Sequence, residues 1–275
     1  MKRSFRNIVI STVVALTIIL NNVGVTQAFP WAEIFLRGIQ VIQISNISDQ
    51  QEVEYGQQMR QQLINSRRIK VYENRNVNRY INDIGQKMVK SSDRSNLPYT
   101  FTVVENDQIN AFATMGGFIY LHTGLIRAAS NEAELASVIG HEIGHVVAKH
   151  SQKQIRQQAI TQGLLSAAGL RTAQIVQLGV AAAVSLPNSR QDEFEADNIG
   201  LRNLINAGYA PRAMPDFMQK LDRGGRAHLL SSHPGARDRV IALNQQIPPT
   251  SRNQGTGLDE AQYRNNIRPL TVRPQ

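Results

Sequence analysis

His141-Glu142-Ile143-Gly144-His145 is the segment of this chain best equipped for chemistry. Two histidines four residues apart share one face of an α-helix, so both imidazoles reach one zinc ion. The glutamate between them falls on the same broad side, within reach of a water held by that ion. A carboxylate in that place takes a proton from the water and makes it a nucleophile. The pattern is short, and it needs a helical context and a further ligand before it means hydrolysis.

Catalytic zinc takes three protein ligands and keeps a fourth position open. The extended pattern HExxHxxGxxH does not supply the third, because its positions are filled by Ala148 and Ser151. Further on, Asp192-Glu193-Phe194-Glu195-Ala196-Asp197 opens another helical segment. Glu193 and Asp197 lie four apart on one face. Turned towards the histidines, that face offers Glu193 to a metal and Asp197 as acceptor for an imidazole N–H. From periodicity alone, the same acids read equally well as first-turn charges that complement the helix dipole. The upstream HExxH favours ligation. His150 stands five residues past His145, which points it off the ligand face, and it reads as structural. His122 reads as a strand-end packing residue, and His228 sits in an expected loop.

These residues need rigid supports. Asn131 is placed to cap a helix over the HExxH segment, with Glu134 at the capping-box position and Leu135, Val138, Ile139 and Val146 as its apolar face. Before it, residues 99–104 alternate and are rich in β-formers, residues 110–113 form a short run, Met115-Gly116-Gly117 is a turn, and residues 118–122 form a third strand. Together they predict a small antiparallel sheet. Helices are expected over 49–65, capped by Ser48, and over 73–91. Residues 158–186 are apolar but interrupted by Gln162, Arg171, Gln174 and Gln177, which predicts a two-helix hairpin over the site; a membrane span is the alternative. Ser189 caps a helix that stops at Gly208, Pro211 starts another, and 234–246 forms one more. From Pro248 the composition predicts a flexible tail. The class is α+β and mostly helical.

The first 28 residues have another design. Lys2, Arg3 and Arg6 precede an apolar run over 8–20, and Thr26-Gln27-Ala28 offers small residues to a signal peptidase. A signal peptide over 1–28 is expected, with an uncleaved membrane anchor as the alternative. Its removal would take three cations and no acid, lowering the formal charge from +9 to +6. No run of five basic residues exists, which argues against nucleic-acid binding and for a basic surface. The chain has no cysteine, so a lipidated-cysteine anchor and disulfides are excluded.

The chain resembles the zinc metallopeptidase family of the CaaX prenyl proteases, HtpX, the mitochondrial Oma proteases and periplasmic BepA. Four ordered motifs over residues 49–247 carry the resemblance: Asn110-Ala111-Phe112-Ala113 before Gly116-Gly117; HExxH; Glu193-Phe194-Glu195-Ala196-Asp197 as ExxxD; and Ser232-His233-Pro234 with Arg239 six residues after the histidine. The chain departs from the integral-membrane members in having few apolar stretches, and from BepA in showing no helical repeats.

The resemblance implies a zincin-like metallopeptidase domain over 29–247 that binds one Zn²⁺ through His141, His145 and Glu193, with Glu195 the competing third ligand. Glu142 would be the general base, and Asp197 would orient a ligand imidazole. It also implies His233 and Arg239 as catalytic candidates at the oxyanion. Arg239 reads more simply as a brace, and the equivalent of His233 is a latch in some members. Substrate would add as a strand along Asn110, Ala111, Phe112 and Ala113. The expected role is an exported, periplasmic or otherwise extracytoplasmic endopeptidase for unfolded envelope proteins, in contact with the membrane surface or assembly machinery. The alternative is an envelope chaperone or assembly factor on the same fold with latent proteolysis.

Overall fold

The computed structural model describes residues 47–164, 170–223, 231–252 and 254–271. The expected signal peptide lies outside these residues, as do His228 and most of its loop. Helix α1 (Asp49–Asn65) starts at a full capping box, in which Ser48 and Gln51 satisfy each other's backbone N–H groups. Asn74 caps α2 (Arg75–Val89), which buries Val77, Ile81, Ile84 and Met88 at helical spacing. Three strands follow: β1 (Thr100–Val104), β2 (Ala111–Thr114) and β3 (Phe118–His122).

The sheet order is β1-β3-β2. β2 and β3 are antiparallel across a tight 3-10 turn at Met115–Gly117, where Gly116 holds φ +75°. β1 runs parallel to β3. The sheet is therefore mixed, where the sequence predicts an antiparallel one. The reason lies in β3, whose five residues are all buried. The most apolar strand takes the centre, β2 is displaced to an edge, and β1 and β3 then point the same way.

Helices cover both faces. Ile119 and Leu121 of β3 enter the larger core, while Phe118 and Tyr120 enter the smaller one. The larger core is closed by α2, by α4 (Glu132–Val147), by α7 (Arg190–Asn206) and by α8 (Ala213–Arg223). The smaller is closed by α1 and by a hairpin of α5 (His150–Thr161) and α6 (Thr172–Ser185). Only the second of these helices lies within the expected stretch 158–186; the first begins at His150 and ends at Thr161. Among the described residues no helix is long and apolar enough to cross a membrane. A short α3 (Thr123–Ala128) links the sheet to α4, and α9 (Ala236–Gln246) packs on α8.

The expected flexible tail is a correction. After Pro248 the chain forms α10 (Glu260–Asn266), capped by Asp259, and α11 (Arg268–Thr271). Tyr263, Ile267 and Leu270 are buried in the larger core, and Tyr263 Oη donates to the Ile126 carbonyl at 2.6 Å. Their i, i+4, i+7 spacing is that of one helical face. Three large apolar side chains dock the segment despite its polar average, each contributing about 1.5–3 kcal/mol on burial.

Candidate metal centre

α4 and α7 pack backbone against backbone, and small residues allow it. A Cβ built on Gly144 would lie 2.5 Å from the Ala196 carbonyl oxygen, and one on Gly200 would lie 2.9 Å from the His141 nitrogen. At this separation the inward side chains of the two helices share one pocket. Asn131 caps α4 by accepting from Glu134 N–H, and Ser189 caps α7 by accepting from Asp192 N–H. Both helices are thereby fixed at their starts.

Four side chains converge between them: His141, His145, Glu193 and His233, each with one donor atom within 4.8 Å of the others. His141 Nε2 and His145 Nε2 are 3.0 Å apart. Glu193 Oε2 is 3.3 Å from His141 Nε2, and Glu193 Oε1 is 3.4 Å from His145 Nε2. His233 Nδ1 lies 3.0 Å from Glu193 Oε1 and 3.2 Å from His141 Nε2. The expected third ligand, Glu193, is in the cluster. Glu195 is not; it is half-exposed and faces His150 at 3.3 Å.

The donor set fits a cation. Asp197 Oδ1 lies 2.9 Å from His141 Nδ1, and an ionised carboxylate only accepts, so Nδ1 carries hydrogen. In the neutral ring the Nε2 lone pair then faces His145 Nε2 and the Glu193 carboxylate. An ion held among them turns that repulsion into ligation. With protein groups alone, a proton takes its place. Burial opposes a charge on His141, but Glu193 and Asp197 outweigh it and lift its pKa to about 9, while burial and the His141 charge depress His145 to about 3. Burial pushes the Glu193 carboxyl up, but the facing His233 and His141 rings outweigh it and hold Glu193 far below the usual carboxylate range.

Arg239 is buried and bidentate to Asp197, with Nε at 2.6 Å from Oδ2 and Nη2 at 2.7 Å from Oδ1. Its Nη1 meets Glu193 Oε2 at 2.6 Å and donates to the His233 carbonyl at 3.2 Å. Every guanidinium nitrogen is turned to one of these acceptors, which is the arrangement of a brace rather than of an open donor.

Glu142 is fully buried beside the cluster. Its Oε1 has no hydrogen-bond partner among the described residues, and the nearest ring nitrogen, His233 Nε2, is 3.7 Å away. Burial raises its pKa. The cluster opens into a cleft between β2 and the end of α6, walled by Asn110, Phe112, Val184, Leu186 and Asn188. Among the described residues β2 pairs with β3 on one side only, so Ala111, Phe112 and Ala113 lie on an edge strand.

Two neighbours escape a reading of the sequence. Asn188 Nδ2 donates to Glu193 Oε1 at 2.7 Å, and Asn188 N–H donates to the Ser232 carbonyl, tying the α7 entry to the His233 segment. In the sequence Asn188 is only a polar residue before a cap. His150, expected to point away, has its Nδ1 2.7 Å from His145 Nδ1. Lys149, in the left-handed region at φ +56°, breaks α4 from α5 and turns His150 back over the site. Its αL conformation has no signature in a lysine.

Residues 75–247 match peptidase family M48. The chain belongs to that family. Among M48 relatives, it is 36% identical over 201 residues to the beta-barrel assembly-enhancing protease of Yersinia pestis, covering 64% of this chain and 41% of the relative. It is 32% identical over 207 residues to the protein of that name from Escherichia coli K12, covering 70% and 40%. To the mitochondrial metalloendopeptidase OMA1 of Arabidopsis thaliana it is 38% identical over 161 residues, covering 56% and 33%. The chain thus spans less than half the length of these M48 relatives.

Proposed function

We propose that this M48 chain is a zinc-dependent endopeptidase whose ligands are His141, His145 and Glu193 and whose general base is Glu142. The observation that supports it most is the Glu142 carboxylate, buried and with one oxygen unpartnered, beside a convergent His-His-Glu donor set. When bound, zinc supplies a Lewis acid for the scissile carbonyl and acidifies a water. With the ion in place, Glu142 would be the group to take a proton from the acidified water and return it to the leaving amine, since its carboxylate is buried beside the donor set. Asp197 accepts from His141 Nδ1–H and keeps the Nε2 lone pair on the donor side, while Arg239 locks Asp197 and Glu193 in place. Substrate enters the cleft as an extended segment and pairs along Ala111–Ala113, which favours unfolded polypeptides.

His233 supports a latched resting state. Its Nδ1 stands with the donor atoms of the cluster, where an attacking water or substrate carbonyl would need room. Departure of His233 opens that room. The names of the bacterial relatives couple a protease to β-barrel assembly. Together with the signal-like segment, they support an exported enzyme acting on misassembled envelope proteins.

The test is bound metal and cleavage of unfolded casein by the full chain, beside Glu142→Gln and His233→Ala. One zinc per chain, with cleavage lost in Glu142→Gln and raised in His233→Ala, is the expected result. Cleavage that survives Glu142→Gln removes the base, and lower cleavage in His233→Ala removes the latch in favour of an oxyanion role.

A further inference from the structure

His145 raises a question that its ligand role does not answer. Its Nε2 faces the donor cluster, so as a ligand it must keep the lone pair there and carry hydrogen on Nδ1. That N–H is buried and needs an acceptor. For His141 the acceptor is Asp197. For His145 the group within reach is another imidazole, His150 Nδ1 at 2.7 Å.

We infer that His150 is a positioning residue that holds His145 in its metal-binding tautomer; the inference rests on the proposed metal site. Two facing ring nitrogens share one hydrogen. If His150 Nδ1 carried it, His145 would have its hydrogen on Nε2 and could not bind an ion. The far side of His150 decides the matter. Its Nε2 lies 3.3 Å from Glu195 Oε2 and 3.5 Å from Asp192 Oδ1, two carboxylates that only accept. Hydrogen is therefore favoured on His150 Nε2, the lone pair falls on Nδ1, and His145 must donate. Lys153, ion-paired with Asp192, fixes that carboxylate. His150 is itself buried, and the αL turn at Lys149 sets its approach. Glu195, the third carboxylate along α7, thus acts on the metal site through two rings rather than as a ligand.

The trio His150, Asp192 and Glu195 also has the composition of a cation site. Lys153 already supplies a positive charge there, so we assign it no ion.

The experiment measures zinc affinity of the full chain by competition with a chromogenic chelator, for wild type, His150→Leu and His150→Asn. Asn places an oxygen near the site of Nδ1 and retains the acceptor; Leu does not. Loss of a partner behind a ligand histidine costs about 10- to 100-fold in affinity. His150→Leu is expected to lose that much, with native circular dichroism, and His150→Asn to stay within about threefold of wild type. Equal losses in both variants, or none in His150→Leu, would overturn the inference and leave the ligand assignment intact. A wild type that binds no zinc would overturn the metal site and this inference together. Two zinc ions per wild-type chain, one of them lost in His150→Leu, would replace the positioning role by a second site. Should His150→Leu not fold, ¹⁵N-histidine spectra of the zinc-bound wild type decide: hydrogen on His145 Nδ1 and His150 Nε2 supports the inference, and the reverse for His150 overturns it.

Discussion

Gly144 and Ala196 meet backbone to backbone. A methyl group at Gly144 would sit 2.5 Å from the Ala196 carbonyl oxygen and 2.9 Å from its Cα. This contact sets how far the helix of His141 and His145 stands from the helix of Glu193 and Asp197. Neither helix has a side chain there that could repack, so any added atom separates them.

Gly144→Ala should therefore destabilise the fold by about 1–3 kcal/mol, the range for overpacking a close interface. It should also weaken zinc binding, since ligands from two helices part. Denaturant midpoints and chelator competition on the same preparation measure both. Unchanged affinity would mean that the helices accommodate the methyl without moving the ligands.

The pKa of His141 gives metal binding a pH dependence. Its folded value of about 9 lies above its ordinary 6.5, so its protonation stabilises the protein fully below pH 6.5 and the contribution is lost as pH rises through 9. A zinc ion must displace that proton, whereas His145, at about 3, has none to lose near neutrality. Zinc binding at pH 7 should release about one proton, and apparent affinity should rise about tenfold per pH unit up to about pH 9. Calorimetry in buffers of different ionisation enthalpy counts the proton; a count of zero would mean that His141 is neutral.

Arg94 holds the distant end of α4. It pairs with the buried Glu52 at 2.7 Å and donates to the Val146 carbonyl at 2.8 Å, while Glu52 also accepts from Gly116 N–H and Gln152. Arg94→Met strands the Glu52 charge and should cost about 3 kcal/mol. Lys149, 3.9 Å from Glu52, keeps the loss at the lower end. Adding Glu52→Gln should recover part of it, and a double-mutant cycle in urea reads the coupling.

Tyr263 tests the docked C-terminal helices. Tyr263→Ala removes a ring from the main core and should cost about 3–5 kcal/mol. Tyr263→Phe removes only the bond to the Ile126 carbonyl and should cost about 1 kcal/mol. A stability for Tyr263→Ala equal to wild type would return this segment to a tail.

The chemistry was legible because helical spacing alone puts His141 and His145 on one side, and because Glu193 and Asp197 repeat that spacing. The N-caps Ser48, Asn131 and Ser189 were equally plain, since capping is local. What stayed hidden depends on distant or unusual geometry. The parallel pairing of β1 and β3 follows from which strand is most buried, not from alternation. Helical spacing points His150 away from the site only if the helix continues past Lys149, and it ends there in an αL residue. Tyr263, Ile267 and Leu270 had the right period, and the Gly, Asn and Arg around them concealed it.

Tyr263 closes a loop of 137 residues onto Ile126 of α3, the short helix that leads into the one presenting His141 and His145. During synthesis, every ligand emerges well before the segment that completes the core beneath them. The chain must be extruded through about residue 270 before its support is whole. The order of synthesis thus places every candidate ligand in the chain before the core that supports them can close.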